Sequence, residues 1–131
     1  MDELKRTVSY REEVLRYASG QYQTTPEYPW MDDPRAAVLR HGGSRKWYGL
    51  IMEVPRNRLG LSGDELLNTV DILNVKCEPD MGIALRTRPG ILPAYHMNKE
   101  HWISILLDGT VKKDTLLALL DQSFELTKGR R

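Results

Sequence analysis

The chain has 131 residues, 40% of them hydrophobic and 28% charged, with a formal net charge of only +1. That length suits one domain with a core of its own, and excludes any need for a disulfide or metal staple. So small a charge excludes a protein that coats nucleic acid through its overall field; contact with an anionic polymer would need local clusters.

Residues 1–8 read as frayed or as one extra turn. Ser9-Tyr10-Arg11-Glu12 matches a capping box, a hydroxyl for the third helical N–H and a Glu reaching back. Tyr10, Val14, Tyr17 and Ala18 then form one apolar stripe, and Gly20 is placed to close the helix. Pro26 and Pro29 punctuate residues 21–33 and Pro34 follows, which predicts an extended, irregular arm. Tyr22, Tyr28 and Trp30 are expected to pin that arm by packing.

Residues 36–41 and 47–54 read as two strands around the glycine-containing loop 42–46. Pro55 stops the second, since proline has no N–H to give a ladder. Residues 55–69 are a loop excursion, with a possible helical turn at 62–68. Residues 70–77 predict a third strand. Residues 81–86 predict a short helix with Met81, Ala84 and Leu85 inward. Residues 91–97 and 102–107 predict a last strand pair around a turn capped by Asn98. Leu116, Leu117, Leu120, Phe124 and Thr127 give the closing helix one apolar face, ended by Gly129. Helix, mostly antiparallel strands, then helix implies an α+β domain, both terminal helices on one face of the sheet.

The single cysteine, Cys77, excludes an internal disulfide and fits a reducing compartment. No signal-like segment or apolar run of about 20 residues stands out. The expectation is a cytoplasmic protein without membrane contact, and more a monomer than an oligomer. No cofactor motif is present: Gly42-Gly43-Ser44 lacks the P-loop spacing, and Gly60 and Gly63 are too close for a dinucleotide fingerprint. His96 and His101 lack zinc-ligand spacing, and Cys77 in an alternating strand reads as a small buried hydrophobe. Without a Gly-x-Ser-x-Gly elbow either, the expectation is no metal and no enzyme.

Charge is segregated along the chain. Residues 35–58 hold six bases and one acid, whereas residues 60–80 hold five acids and one base. Arg45 and Lys46 sit at one predicted hairpin tip, before Trp47. Lys99 sits at another, among His96, Asn98, His101 and Trp102. Two basic turns with aromatics suit phosphate contact and base stacking. Solvated tips with purely structural roles for Asn98, the histidines and Trp102 are the plainer reading.

The string Tyr95-His96-Met97-Asn98-Lys99-Glu100-His101-Trp102-Ile103, with Leu107-Asp108-Gly109 after it, resembles the MmcQ/YjbR family of small bacterial proteins. Tyr28-Pro29-Trp30, Lys46-Trp47-Tyr48, residues 74–79 and residues 120–126 agree, with Phe124 where a tyrosine is common. The resemblance runs from about Ser9 to the closing helix. It implies a compact α+β fold, called double-wing or frataxin/CyaY-like, and a DNA-binding label resting on structural analogy. It points to Lys46, Trp47, His96, Asn98, Lys99, His101 and Trp102, and implies no catalytic role for them. The expected function is a non-enzymatic binding protein that contacts DNA weakly through Arg45, Lys46, Trp47, His96, Asn98, Lys99 and His101. The alternative is a protein-interaction module using the sheet face or the 56–69 loop.

Overall fold

The computed structural model describes residues 9–61 and 68–129. Expectations placed on residues 1–8 and 62–67 lie outside the described residues. The elements are α1 (Arg11–Tyr22), β1 (Ala37–Arg40), β2 (Trp47–Pro55), a 3-10 turn (Arg56–Leu59), β3 (Thr69–Lys76), α2 (Pro79–Leu85), β4 (Ile91–Pro93), β5 (Trp102–Leu106) and α3 (Lys113–Thr127). The strands form one sheet in the order β1-β2-β3-β5-β4, every neighbouring pair antiparallel. This is the expected α+β class.

Strand alternation divides the core between the two faces. Ile51, Leu73, Val75, Ile103 and Ile105 face the helices and pack with Val14 and Ala18 of α1 and Leu116, Leu119 and Leu120 of α3. Burying each such Leu or Ile contributes about 1.5–3 kcal/mol. Val54, Val70, Ile72 and Leu106 pack on the helix-free face, where Leu59, Leu61, Leu92 and Tyr95 cover them.

Several local expectations are corrected by longer-range contacts. The capping box does not form: the Ser9 hydroxyl donates to Asp71 (2.6 Å) and accepts the Arg11 N–H (3.1 Å), and Tyr10 is the N-cap. Arg11 in turn gives two side-chain hydrogen bonds to Asp71, both groups being buried. Helix α1 runs past Gly20 and stops at Gln23, which takes the left-handed conformation (φ 57°). The extra turn lets Tyr22 stack on Phe124, ring centroids 3.9 Å apart. Tyr28 stays substantially exposed and does not pin the arm, whereas Trp30, though partly exposed, packs edge-to-face on Trp47, and Glu27 bridges to Val38. In α2, Met81 and Ala84 face outward. The helix approaches the core through Gly82, where an added Cβ would lie 3.0 Å from Cys77 Sγ.

One irregularity re-aims the start of β2. Leu39 pairs with Gly49 and Arg40 with Trp47, so Tyr48 is an extra, bulged residue. Tyr48 turns into the core beside Tyr22 and Phe124. Gly49 shares that side, where a Cβ would meet Leu39 at 3.0 Å. The β2–β3 pairing accordingly begins only at Leu50 and Asn74. The fully buried Ser123 of α3 fills the gap: its hydroxyl donates to the Tyr48 carbonyl (2.7 Å) and accepts the Lys76 N–H (2.9 Å).

Candidate binding face

The register decides where the two basic turns lie. β2 and β5 both flank β3 and both run antiparallel to it. Their first residues therefore emerge at the same end of the sheet, about 10 Å apart laterally. The β1–β2 turn and the β4–β5 connection thus share one edge. Lys76 and Trp102, a cross-strand pair on the helix-free side, stand between them.

The β4–β5 connection also divides the helix-free face. It leaves the sheet after Pro93, earlier than the pattern of residues 91–97 predicts. The cause is a buried polar relay. Ser104 Oγ donates to Asn74 Oδ1, Asn74 Nδ2 donates to the Tyr95 carbonyl (3.1 Å), and the Tyr95 N–H donates to Ser104 Oγ (2.9 Å). Side chains from β3 and β5 so replace the ladder at Tyr95. The next residue, His96, takes φ 61°, a left-handed conformation uncommon outside glycine. That reversal sends Tyr95 and His96 into different grooves.

The groove on the β4 side, about 270 Å³, is lined by Arg58, Leu59, Leu92, Tyr95 and Lys99. The groove on the β1 side, about 320 Å³, has Leu50 and Met52 of β2, Trp30, Trp47, His96 and Met97, with Asp32 and Asp33 contributed by the arm. The Trp30 and Trp47 rings stand at 73° with centroids 5.9 Å apart. The Arg40 guanidinium lies 5.7 Å from the Trp47 ring centre.

The expected site residues therefore meet different fates. Lys46 and Lys99 are exposed, and neither has an ion pair among the described residues. Arg45 is not an unengaged cation. It holds φ 67° and bonds Glu27 at 2.8 Å, while 57% of its side chain stays exposed. Glu27 also takes Arg40 at 2.9 Å. The hydrogen bond from Arg45, then that from Arg40, holds the Glu27 carboxyl below its ordinary pKa. Arg35 pairs with Glu53 and Asp71, and Arg56 with Asp108. Four of the six bases in residues 35–58 are thus neutralised by acids, several from outside that stretch.

Asn98 is the cap expected of it: Oδ1 accepts the N–H groups of Glu100 (2.9 Å) and His101 (3.1 Å). His101 is exposed at that turn. Cys77 is buried on the helix-covered face, and burial pushes its thiol pKa up. His96 lines a groove on the opposite face, so the two do not share a pocket. The third histidine, His41, is buried and bonds Thr127 (2.8 Å). Burial, followed by the charge of Lys128, pulls its pKa down. Residue patterns missed Trp30, Asp32, Asp33, Arg58 and Lys76 as lining or edge groups. A tryptophan followed closely by two aspartates, on an arm that cannot be helical, was the available signal.

Comparison with known proteins agrees with this architecture. A family model described as YjbR matches residues 19–126. The uncharacterized protein YyaQ of Bacillus subtilis strain 168 is 48% identical over 118 residues, covering 90% of this chain and 98% of its own. The uncharacterized protein YbdF of Escherichia coli O157:H7 is 34% identical over 61 residues, 46% of this chain and 50% of its own. A crystal structure of a Pseudomonas syringae protein superposes with a TM-score of 0.85 at 42% identity, covering 90% of this chain and 98% of that one. A Deinococcus radiodurans protein with a DUF419 domain superposes at 0.69 and 26% identity, covering 95% and 83%. The chain belongs to the YjbR family.

Proposed function

We propose that this YjbR-family domain is a non-enzymatic binding protein, and that the shared edge of its sheet takes a nucleic-acid strand. The observation that carries the reading is the register that brings the β1–β2 turn and the β4–β5 connection to one end. Lys46 and Lys99 supply charge there, and Arg58 adds a third cation in the same groove as Lys99. Trp47, Trp102, His96 and His101 offer ring faces, and Asn98 is committed to the turn. Aromatic platforms beside scattered cations suit a single strand better than a duplex, which demands a continuous basic surface. Arg45, already held by Glu27, contributes little. The raised thiol pKa of Cys77 and the burial of His41 support a role without covalent catalysis.

Three phosphate contacts imply a log–log salt slope of about −2 for single strands. Fluorescence anisotropy with labelled single-stranded DNA and RNA reads it. Lys46→Glu with Lys99→Glu is expected to abolish the signal while leaving the circular dichroism unchanged, because both side chains are exposed. Absence of any salt-sensitive signal with either polymer overturns the reading. A second reading, a protein-interaction module, draws on Met31, which is 98% exposed beside Trp30. It predicts a stoichiometric protein partner that survives nuclease treatment and is lost in Met31→Asp.

A further inference from the structure

The groove between β2 and the arm has a chemistry opposite to that of the shared edge. Among the described residues its charged lining is Asp32 and Asp33, with no lysine or arginine. Neither carboxylate takes an ion pair or a side-chain hydrogen bond among the described residues. Glu27, Glu53, Asp71 and Asp108, by contrast, each hold an arginine. Above Leu50 and Met52, Trp30 and Trp47 meet near a right angle. Two such ring walls present π-electron density toward a corner, which attracts a cation that water holds weakly. Trp47 already shows this preference, since the Arg40 guanidinium lies over its ring with Glu27 neutralising the charge. The volume, about 320 Å³, fits a small ligand.

We propose that the Trp30–Trp47 corner binds a small organic cation of the alkylammonium class, the rings and methionines holding its methyl groups and Asp32 and Asp33 balancing its charge. This goes beyond the strand-binding proposal and needs neither Lys46 nor Lys99. A bare metal ion is disfavoured, because two carboxylates beside tryptophan rings give too few oxygen ligands. An anion is disfavoured by the same two carboxylates.

The test is a titration of the whole chain with choline, read by tryptophan emission and by calorimetry, against its neutral tert-butyl isostere. Saturable binding of choline and none of the isostere is expected. Asp32→Asn and Asp33→Asn are each expected to weaken it about tenfold, as loss of one nearby counter-charge at a partly solvated rim should. Trp30→Ala is expected to remove it; this ring is 36% exposed, and an unchanged melting temperature will show that the fold persists. Lys46→Glu with Lys99→Glu is expected to leave choline affinity intact or raise it, which separates this site from the edge. Equal binding of choline and the isostere, or binding of neither, overturns the proposal. Binding of a trimethyl-lysine peptide but not of choline overturns it in favour of a docked protein tail.

Discussion

The removal of one hydroxyl tests how the site is held. In Ser123→Ala, the Tyr48 carbonyl and the Lys76 N–H both lose their partner. Ser123 is fully buried, so water cannot easily replace it. Each orphaned backbone group costs about 1–2 kcal/mol, for a total of about 2–4 kcal/mol. That is a large share of the roughly 5–15 kcal/mol that stabilises a typical domain. At about 4 °C per kcal/mol for a chain of this size, the melting temperature is expected to fall by roughly 8–16 °C. Thermal unfolding followed by circular dichroism measures it. Amide exchange supplies a second readout: the Lys76 N–H is expected to lose protection first, ahead of Leu73 in the middle of the same strand. Because the bulge that Ser123 bridges also aims Trp47 at the grooves, tryptophan emission should change before unfolding begins. A fall of less than about 2 °C with Lys76 still protected would refute the bridging role assigned to Ser123.

Two further predictions concern buried charge and acidity. For Asp71, burial pushes the carboxyl pKa up, but the hydrogen bonds from Arg11 and Ser9 and the charges of Arg11 and Arg35 outweigh it and leave it below the ordinary 3.8. The stability it confers is therefore complete above that value and is lost as pH falls below it. Asp71→Asn leaves Arg11 buried without its counter-charge and is expected to cost about 3–5 kcal/mol at neutral pH, read by urea unfolding. Equal stability of the two proteins at pH 7 would contradict this. His41 has its pKa lowered from 6.5 by burial and then by Lys128, with Glu125 and the Phe124 carbonyl opposing. The unfolded chain binds that proton more readily, so stability present above about pH 6.5 is lost as the solution becomes more acidic. His41→Gln is expected to flatten the melting temperature between pH 7 and pH 5.5, and an unchanged slope would show that another group is responsible.

The elements were legible wherever their signal is local. The stripe of Val14 and Ala18, the apolar run of β2 and the Leu116–Leu120 face each state their own periodicity within a few residues, and the α+β class followed from their order. Asn98 was legible for the same reason, because a cap acts on amides two and three positions away. The family resemblance rested on similarly contiguous strings. Other features have causes far along the chain. Ser9 is drawn from its cap by Asp71, 62 residues on, and Arg45 is engaged by Glu27, 18 residues back. Tyr95 leaves the ladder because Asn74 and Ser104 capture its peptide group. Ionic and hydrogen-bonding partners are chosen by distance in space, and no composition window reports that. Thus the sequence alone determined which segments are helices and strands and that cations and aromatics crowd the turns. Only the packed sheet decided that both turns share an edge, that four of the six bases in residues 35–58 are already neutralised, and that two aspartates without an ion pair among the described residues face a tryptophan corner.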